Sequence, residues 1–245
     1  MGMQRLAILF VALALLLLLL TVPASSAQEA PVVDALAASS LVERLRRGGF
    51  VIYFRHASTD FAQVDSDLVN LDNCATQRNL TDAGRAQAAA IGEAMHTLAI
   101  PIGDVFSSQF CRTLETAWLA FGRAAPTRDL TSISGLTIAE RDRRLEALRM
   151  LLATPPPETT NTILVAHQFN LRDAMGVTLI SEGEAAIYQP DGAGWTSLVT
   201  LVQPNEWAEL AATGGWLGFE VSSILGLRTT ATGWLPIQAT AVAAR

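Results

Sequence analysis

Two short runs, Phe50-Val51-Ile52-Tyr53-Phe54 and Thr162-Ile163-Leu164-Val165-Ala166, constrain this chain most. Each has strand length, is rich in β-branched or aromatic side chains, and lacks the polar alternate position of a half-exposed strand. A strand of this kind is buried on both faces, so helices must cover both sides of its sheet. The sequence supplies them. Ala35–Arg47, an Ala-rich segment capped by Thr81 and reaching Leu98, Arg112–Phe121 and Ile138–Leu152 carry apolar residues at helical spacing or good helix formers between breakers. Asp104–Ser108 reads as another strand, and Glu184–Tyr188 and Leu198–Val202 as two more, joined through Asp191-Gly192. This alternation predicts an α/β fold of three layers, with a mainly parallel central sheet and helices on both faces. Arg128–Thr137 is ambiguous, and Asp60–Asn79 reads as a long polar loop, of the kind that is usually functional or disordered.

The apolar N-terminus stands apart from this pattern. Arg5 is followed by the apolar run Leu6–Leu20 and then Ala24-Ser25-Ser26-Ala27, with small residues at −3 and −1 of a cut after Ala27. That is the layout of a secretory signal peptide over residues 1–27. Export to the periplasm or the medium is expected, and any membrane contact would come only from this segment left uncleaved. Residues 28–210 then form one domain of ordinary size, and 211–245 an extension without regular period, expected to be poorly ordered.

The formal charge of the 245-residue chain is −6, which disfavours a nucleic-acid partner. No lysine is present, so all 17 basic residues are arginine. Schiff-base chemistry and the lysine-containing phosphate loop are thereby excluded. The two cysteines, Cys74 and Cys111, are expected to form one disulfide in an exported chain. With no Cys-x-x-Cys or His-Glu-x-x-His spacing, zinc held by His56, His167 and a cysteine is disfavoured, and no metal or other cofactor is expected.

Both buried runs lead to a histidine, His56 and His167, and Arg112 starts a helix after another strand. Ligands of open α/β sheets bind at the carboxyl ends of strands. Two His with Arg55 and Arg112 would there make a concave cationic cluster in an acidic protein, suited to a phosphoryl group. His96 and the Arg141/Arg143/Arg144 run carry no such context and read as surface or packing.

The residues around these groups resemble the histidine phosphatase superfamily, also called phosphoglycerate mutase-like. The likeness lies in Arg55-His56-Ala57 after a strand and in Leu80-Thr81-x-x-Gly84-x-x-Gln87-Ala88. It continues in Ser107-Ser108-x-x-x-Arg112-x-x-x-Thr116-Ala117 and in the strand entering His167. Four motifs in order span about Phe50 to Val202. The resemblance implies that a small phosphorylated substrate transfers its phosphoryl group to His56 while Arg55, Arg112 and His167 hold the oxygens, with no metal. The family's common Gly after the second His is Gln168 here, and no carboxylate stands in Leu130–Ser134, where the mutase-like branch carries its acid. Glu184 is the expected proton donor, with Asp60 and Glu182 as other candidates. The combination looks most like the exported group that includes lipopolysaccharide core heptose phosphatases. The alternative is a catalytically weak member that binds phosphate or another anion, tethered to the membrane. Mutase activity fits the export signal poorly.

Overall fold

In the strand β1 (Val51–Arg55), successive side chains go to opposite faces of the sheet and every one but the last is buried. Val51 and Tyr53 join one apolar cluster, and Ile52 and Phe54 the other. The computed structural model describes residues 41–178 and 180–214, all within the unit Leu36–Arg245. The expected signal segment 1–27 and residues 215–245 lie outside the described residues.

After α1 (described over residues 41–47) and β1 come α2 (Asp82–Thr97), β2 (Ile102–Ser107), α3 (Cys111–Phe121) and β3 (Ala125–Pro126). The chain continues through α4 (Ile138–Ala153), β4 (Asn161–Ala166), α5 (Gln168–Met175), β5 (Ala185–Pro190), β6 (Thr196–Val202) and α6 (Glu206–Gly214). The sheet order is β3-β2-β4-β1-β5-β6. The pairs β3/β2, β2/β4 and β4/β1 are parallel, and β5 is antiparallel to both β1 and β6. The expected three-layer, mainly parallel α/β architecture is the one observed. Leu45, Ile91, Met95, Ala117 and Trp207 from α1, α2, α3 and α6 cover one face. Leu148, Leu152 and Leu171 from α4 and α5 cover the other.

Three elements went unread in the sequence. β3 is only two residues long, α5 follows His167 without a break, and α6 runs on to Gly214. The folded part therefore reaches past the boundary expected at residue 210, because α6 buries Trp207 completely against Phe54 and its neighbours.

The sequence motif at Leu80–Ala88 is a clamp on the segment leaving β1. Thr81 Oγ1 accepts from Gly84 N at 2.9 Å and caps α2. Gln87 Oε1 accepts from Ser58 N at 3.0 Å. A Cβ at Gly84 would collide with the backbone carbonyl of Ser58, so only glycine lets the helix approach this closely. Gly84→Ala is expected to cost about 3 kcal/mol, the upper part of the usual overpacking range, because the obstructing atom is main chain. The urea midpoint of the purified domain measures it, and an unchanged midpoint would refute this account of the motif.

Candidate functional site

The parallel register of β1 and β4 pairs Arg55 with Ala166, so the next residues on each strand, His56 and His167, stand side by side. Their ring centroids are 5.6 Å apart. His56 N donates to Ala166 O at 3.1 Å and fixes the exit of β1. The helix after β1 covers one face of the sheet and the helix after β4 the other, so this is the switch point at which open α/β sheets bind ligands. On the far side of β4, Ser107 pairs with Val165, which sets Ser108 Oγ 2.9 Å from His167 Nε2. Arg112 follows in the first turn of α3. Thr116, one turn later, accepts from Ala57 N at 3.0 Å and ties α3 to the loop after His56.

His56 Nδ1 lies 2.9 Å from Ala57 O. A carbonyl oxygen only accepts, so Nδ1 carries the hydrogen and Nε2 keeps its lone pair. Burial, and then the charge of Arg112, hold His56 well below the ordinary imidazole value, and the same two causes in the same order act on His167. Both rings are neutral at pH 7. Tyr53 Oη donates to His167 O at 2.7 Å and accepts from His167 N at 3.1 Å, so the second ring's backbone is fixed from within the sheet.

Arg55, His56, Arg112 and His167 line one cavity of about 630 Å³ together with Arg78, Asp65, Gln168 and Phe169. Arg55 is held from behind: Nη1 donates to Gln168 Oε1 at 3.0 Å and Ile180 O at 2.8 Å, and Nη2 to Glu182 Oε1 at 3.1 Å. Gln168, which stands where the resembling family carries Gly, is thus an anchor for Arg55. Arg112 stacks on the Phe110 ring at 4.4 Å and donates through Nη1 to Asp65 Oδ1 at 2.9 Å. The Nε atoms of Arg55, Arg78 and Arg112 are all buried without an acceptor among the described residues. Arg55, Arg78 and Arg112 all line the cavity, and their guanidinium groups gather positive charge there that suits an anion.

The sequence reading placed Arg55, His56, Arg112 and His167 in one site, and the fold brings these four together. Glu184 is a correction. It does not line the cavity: its side chain is buried, Oε2 accepts from Ser181 N at 2.6 Å, and its backbone O accepts from Arg55 N. It holds the turn before β5 and cannot reach a leaving group in this cavity. Glu182 is spent on Arg55 and on the N–H and hydroxyl of Thr59. Asp60 accepts from Ala62 N and Gln63 within its own loop turn.

Arg78 and Asp65 are among the charged lining residues that went unnoticed in the sequence. Arg78 is the only cation in the Asp60–Asn79 loop, directly ahead of the Leu80-Thr81 motif, and that isolation was a usable signal. Asp65 is one of four aspartates in that loop, and nothing in its spacing distinguishes it. The expected disulfide joins Cys74 to Cys111, with Cα atoms 5.7 Å apart, and so fastens this loop to the start of α3 beside Arg112. Both thiols are thereby unavailable to zinc.

Residues 51–137 match the histidine phosphatase superfamily (branch 1). No curated protein matches the sequence. A solved structure from Escherichia coli K-12, described as a candidate alpha-ribazole-5'-P phosphatase, is 14% identical with a TM-score of 0.51, over 64% of this chain and 98% of that one. The open reading frame Rv3214 of Mycobacterium tuberculosis is 19% identical over 63% of this chain and 97% of its own, with a TM-score of 0.46. A candidate phosphohistidine phosphatase SixA from Agrobacterium tumefaciens is 16% identical over 64% and 99%, with a TM-score of 0.41. The E. coli superposition establishes a shared fold. The match across residues 51–137 and that shared fold are what this α/β domain has in common with the histidine phosphatase superfamily.

Proposed function

We propose that this chain is an exported phosphomonoesterase that works through a phosphohistidine on His56 and needs no metal. The observation that carries the reading is the pairing of a neutral His56, with Nε2 free, and the three arginines Arg55, Arg78 and Arg112 at the same cavity. Phosphoryl transfer asks a protein mainly for positioning and charge neutralisation, and arginine forks supply both. His56 Nε2 attacks phosphorus and the ester P–O bond breaks. Arg55, Arg78, Arg112 and His167 hold the remaining oxygens, and water then cleaves the P–N bond. Wild type quenched in acid and handled in base should retain a base-stable, acid-labile phosphoryl group. Turnover without such a group would refute the covalent route.

The reading extends to the exported subgroup that includes lipopolysaccharide core heptose phosphatases. The Gln168-Phe169-Asn170 run after His167 and the lack of a carboxylate across Leu130–Ser134 support it. Residues 1–27 would leave on export, and N-terminal sequencing of the exported protein tests that: a start near Gln28 is expected, and an intact Met1 counts against it.

Because the fold holds His56 well below 6.5, the nucleophile stays neutral as pH falls through the range where an ordinary histidine protonates. The acid limb of kcat/KM with 4-nitrophenyl phosphate is therefore expected below pH 6.5. Stability follows the same sign. The unfolded chain takes up protons on His56 and His167 near pH 6.5 that the native state refuses, so stability present above that pH is lost as pH falls through it. An acid limb centred above pH 6.5 would contradict a neutral, buried His56.

A further inference from the structure

The site as described has a nucleophile and a phosphate cradle but no proton donor for the leaving oxygen. The carboxylates among the lining residues are Asp65 and Asp72. Asp72 is exposed. Asp65 has a side chain only 25% exposed and sits 2.9 Å from Arg112 Nη1, one of the cations that would hold the phosphoryl group. Its Oδ1 also accepts from Arg78 N at 2.9 Å, while Oδ2 has no hydrogen-bond partner among the described residues.

Although Asp65 lies on a long loop, the loop is fastened at several points. Ser66 N donates to Thr76 O at 2.8 Å, Gln77 Nε2 donates to Leu71 O at 2.7 Å, and Gln77 Oε1 accepts from Cys111 N at 2.9 Å. The Cys74–Cys111 disulfide then locks the loop to the helix that carries Arg112. Asp65 and Arg112 are thus held as a unit across 47 positions of sequence.

We propose that Asp65 is the general acid and base of this site, a proposal that rests on the phosphohistidine reading above. In the free protein Asp65 is paired with Arg112. A phosphomonoester bound as its monoanion brings a proton, the second phosphate ionisation lying near pH 6. As the phosphoryl oxygens take over Arg112, Asp65 exchanges a cationic neighbour for an anionic one, and the proton passes to Oδ2. In the first half-reaction the Nε2 lone pair of His56 forms the P–N bond. The P–O ester bond breaks, its electron pair stays on the leaving oxygen, and that oxygen takes the proton from Oδ2 and departs as the alcohol. In the second, a water oxygen attacks phosphorus and Asp65 takes its proton. The P–N electron pair returns to His56, and phosphate leaves.

The test compares ethyl phosphate with 4-nitrophenyl phosphate in wild type, Asp65→Asn and Asp60→Asn. Asparagine keeps an oxygen for Arg112 Nη1 but cannot donate a carboxylic proton. In Asp65→Asn, phosphorylation of His56 by ethyl phosphate is expected to slow by about 10²–10⁴. The nitrophenol burst keeps its rate within about tenfold, because nitrophenolate leaves without a proton. Steady-state turnover of 4-nitrophenyl phosphate falls and phosphohistidine accumulates, since water has lost its base. Asp60→Asn leaves both rates unchanged. An equal loss of phosphorylation rate with both esters would overturn the assignment. Should Asp65→Asn not fold, a leaving-group series on wild type decides instead: a shallow dependence of phosphorylation rate on leaving-group pKa supports the acid, and a steep one overturns it. A wild type that gives neither burst nor turnover overturns the phosphatase reading and this proposal with it, whereas an equal loss in Asp65→Asn overturns the proposal alone.

Discussion

His56→Ala is expected to reduce hydrolysis of 4-nitrophenyl phosphate by at least about 10³-fold, since a nucleophile that acts as one unit with its neighbours takes most of the rate with it. The residual cradle of Arg55, Arg78, Arg112 and His167 should still bind phosphate, because their donors do not depend on the His56 ring. Inorganic phosphate inhibition in wild type and phosphate binding to His56→Ala by calorimetry should therefore give affinities within about tenfold of one another. The fold should persist as well, for the backbone bond from His56 N to Ala166 O is kept and only the ring's bond to Ala57 O is lost. Substantial turnover in His56→Ala would exclude His56 as the covalent carrier.

The second large effect is expected from removing the disulfide. Replacing Cys74 and Cys111 together by Ser reopens a loop with a sequence separation of 37. In the chain-entropy model a loop of that size stabilises the native state by about 4 kcal/mol, and measured losses for native bridges run about 2–5 kcal/mol. The bridge also fixes the segment that carries Asp65 and Arg78 beside Arg112. Activity at a temperature where the double variant is still folded should therefore fall as well, through a raised KM as well as a lower kcat. The unfolding midpoint in urea and the two kinetic constants are separate readouts. A variant with normal constants but reduced stability would show that the loop holds its place without the bridge.

The central strands were legible because burial on both faces leaves a local trace: no polar residue interrupts Phe50–Phe54 or Ile163–Ala166, and each run leads to a histidine that lines the cavity. The helix starting at Thr81 was legible for a similar reason, since cap, close-packing glycine and Gln87 lie within one turn or two of each other. α5 was hidden by its lack of a break after His167, and β3 by its length of two residues.

By itself the sequence determined the α/β layering and pointed to the ends of β1 and β4, where Arg55, His56, Arg112 and His167 meet at one cavity. These follow from local pattern, because a strand's register carries whatever residue comes next to the same end of the sheet. The tertiary structure alone decided which carboxylate at the cavity is paired with Arg112. Glu184, close in sequence to a sheet strand, is turned into Ser181 N, whereas Asp65 is brought to Arg112 by a loop whose path depends on a disulfide and on Gln77. A carboxylate's role is set by the neighbours it meets in space, and a loop closed from 37 positions away leaves no periodic trace in the sequence from which those neighbours can be read.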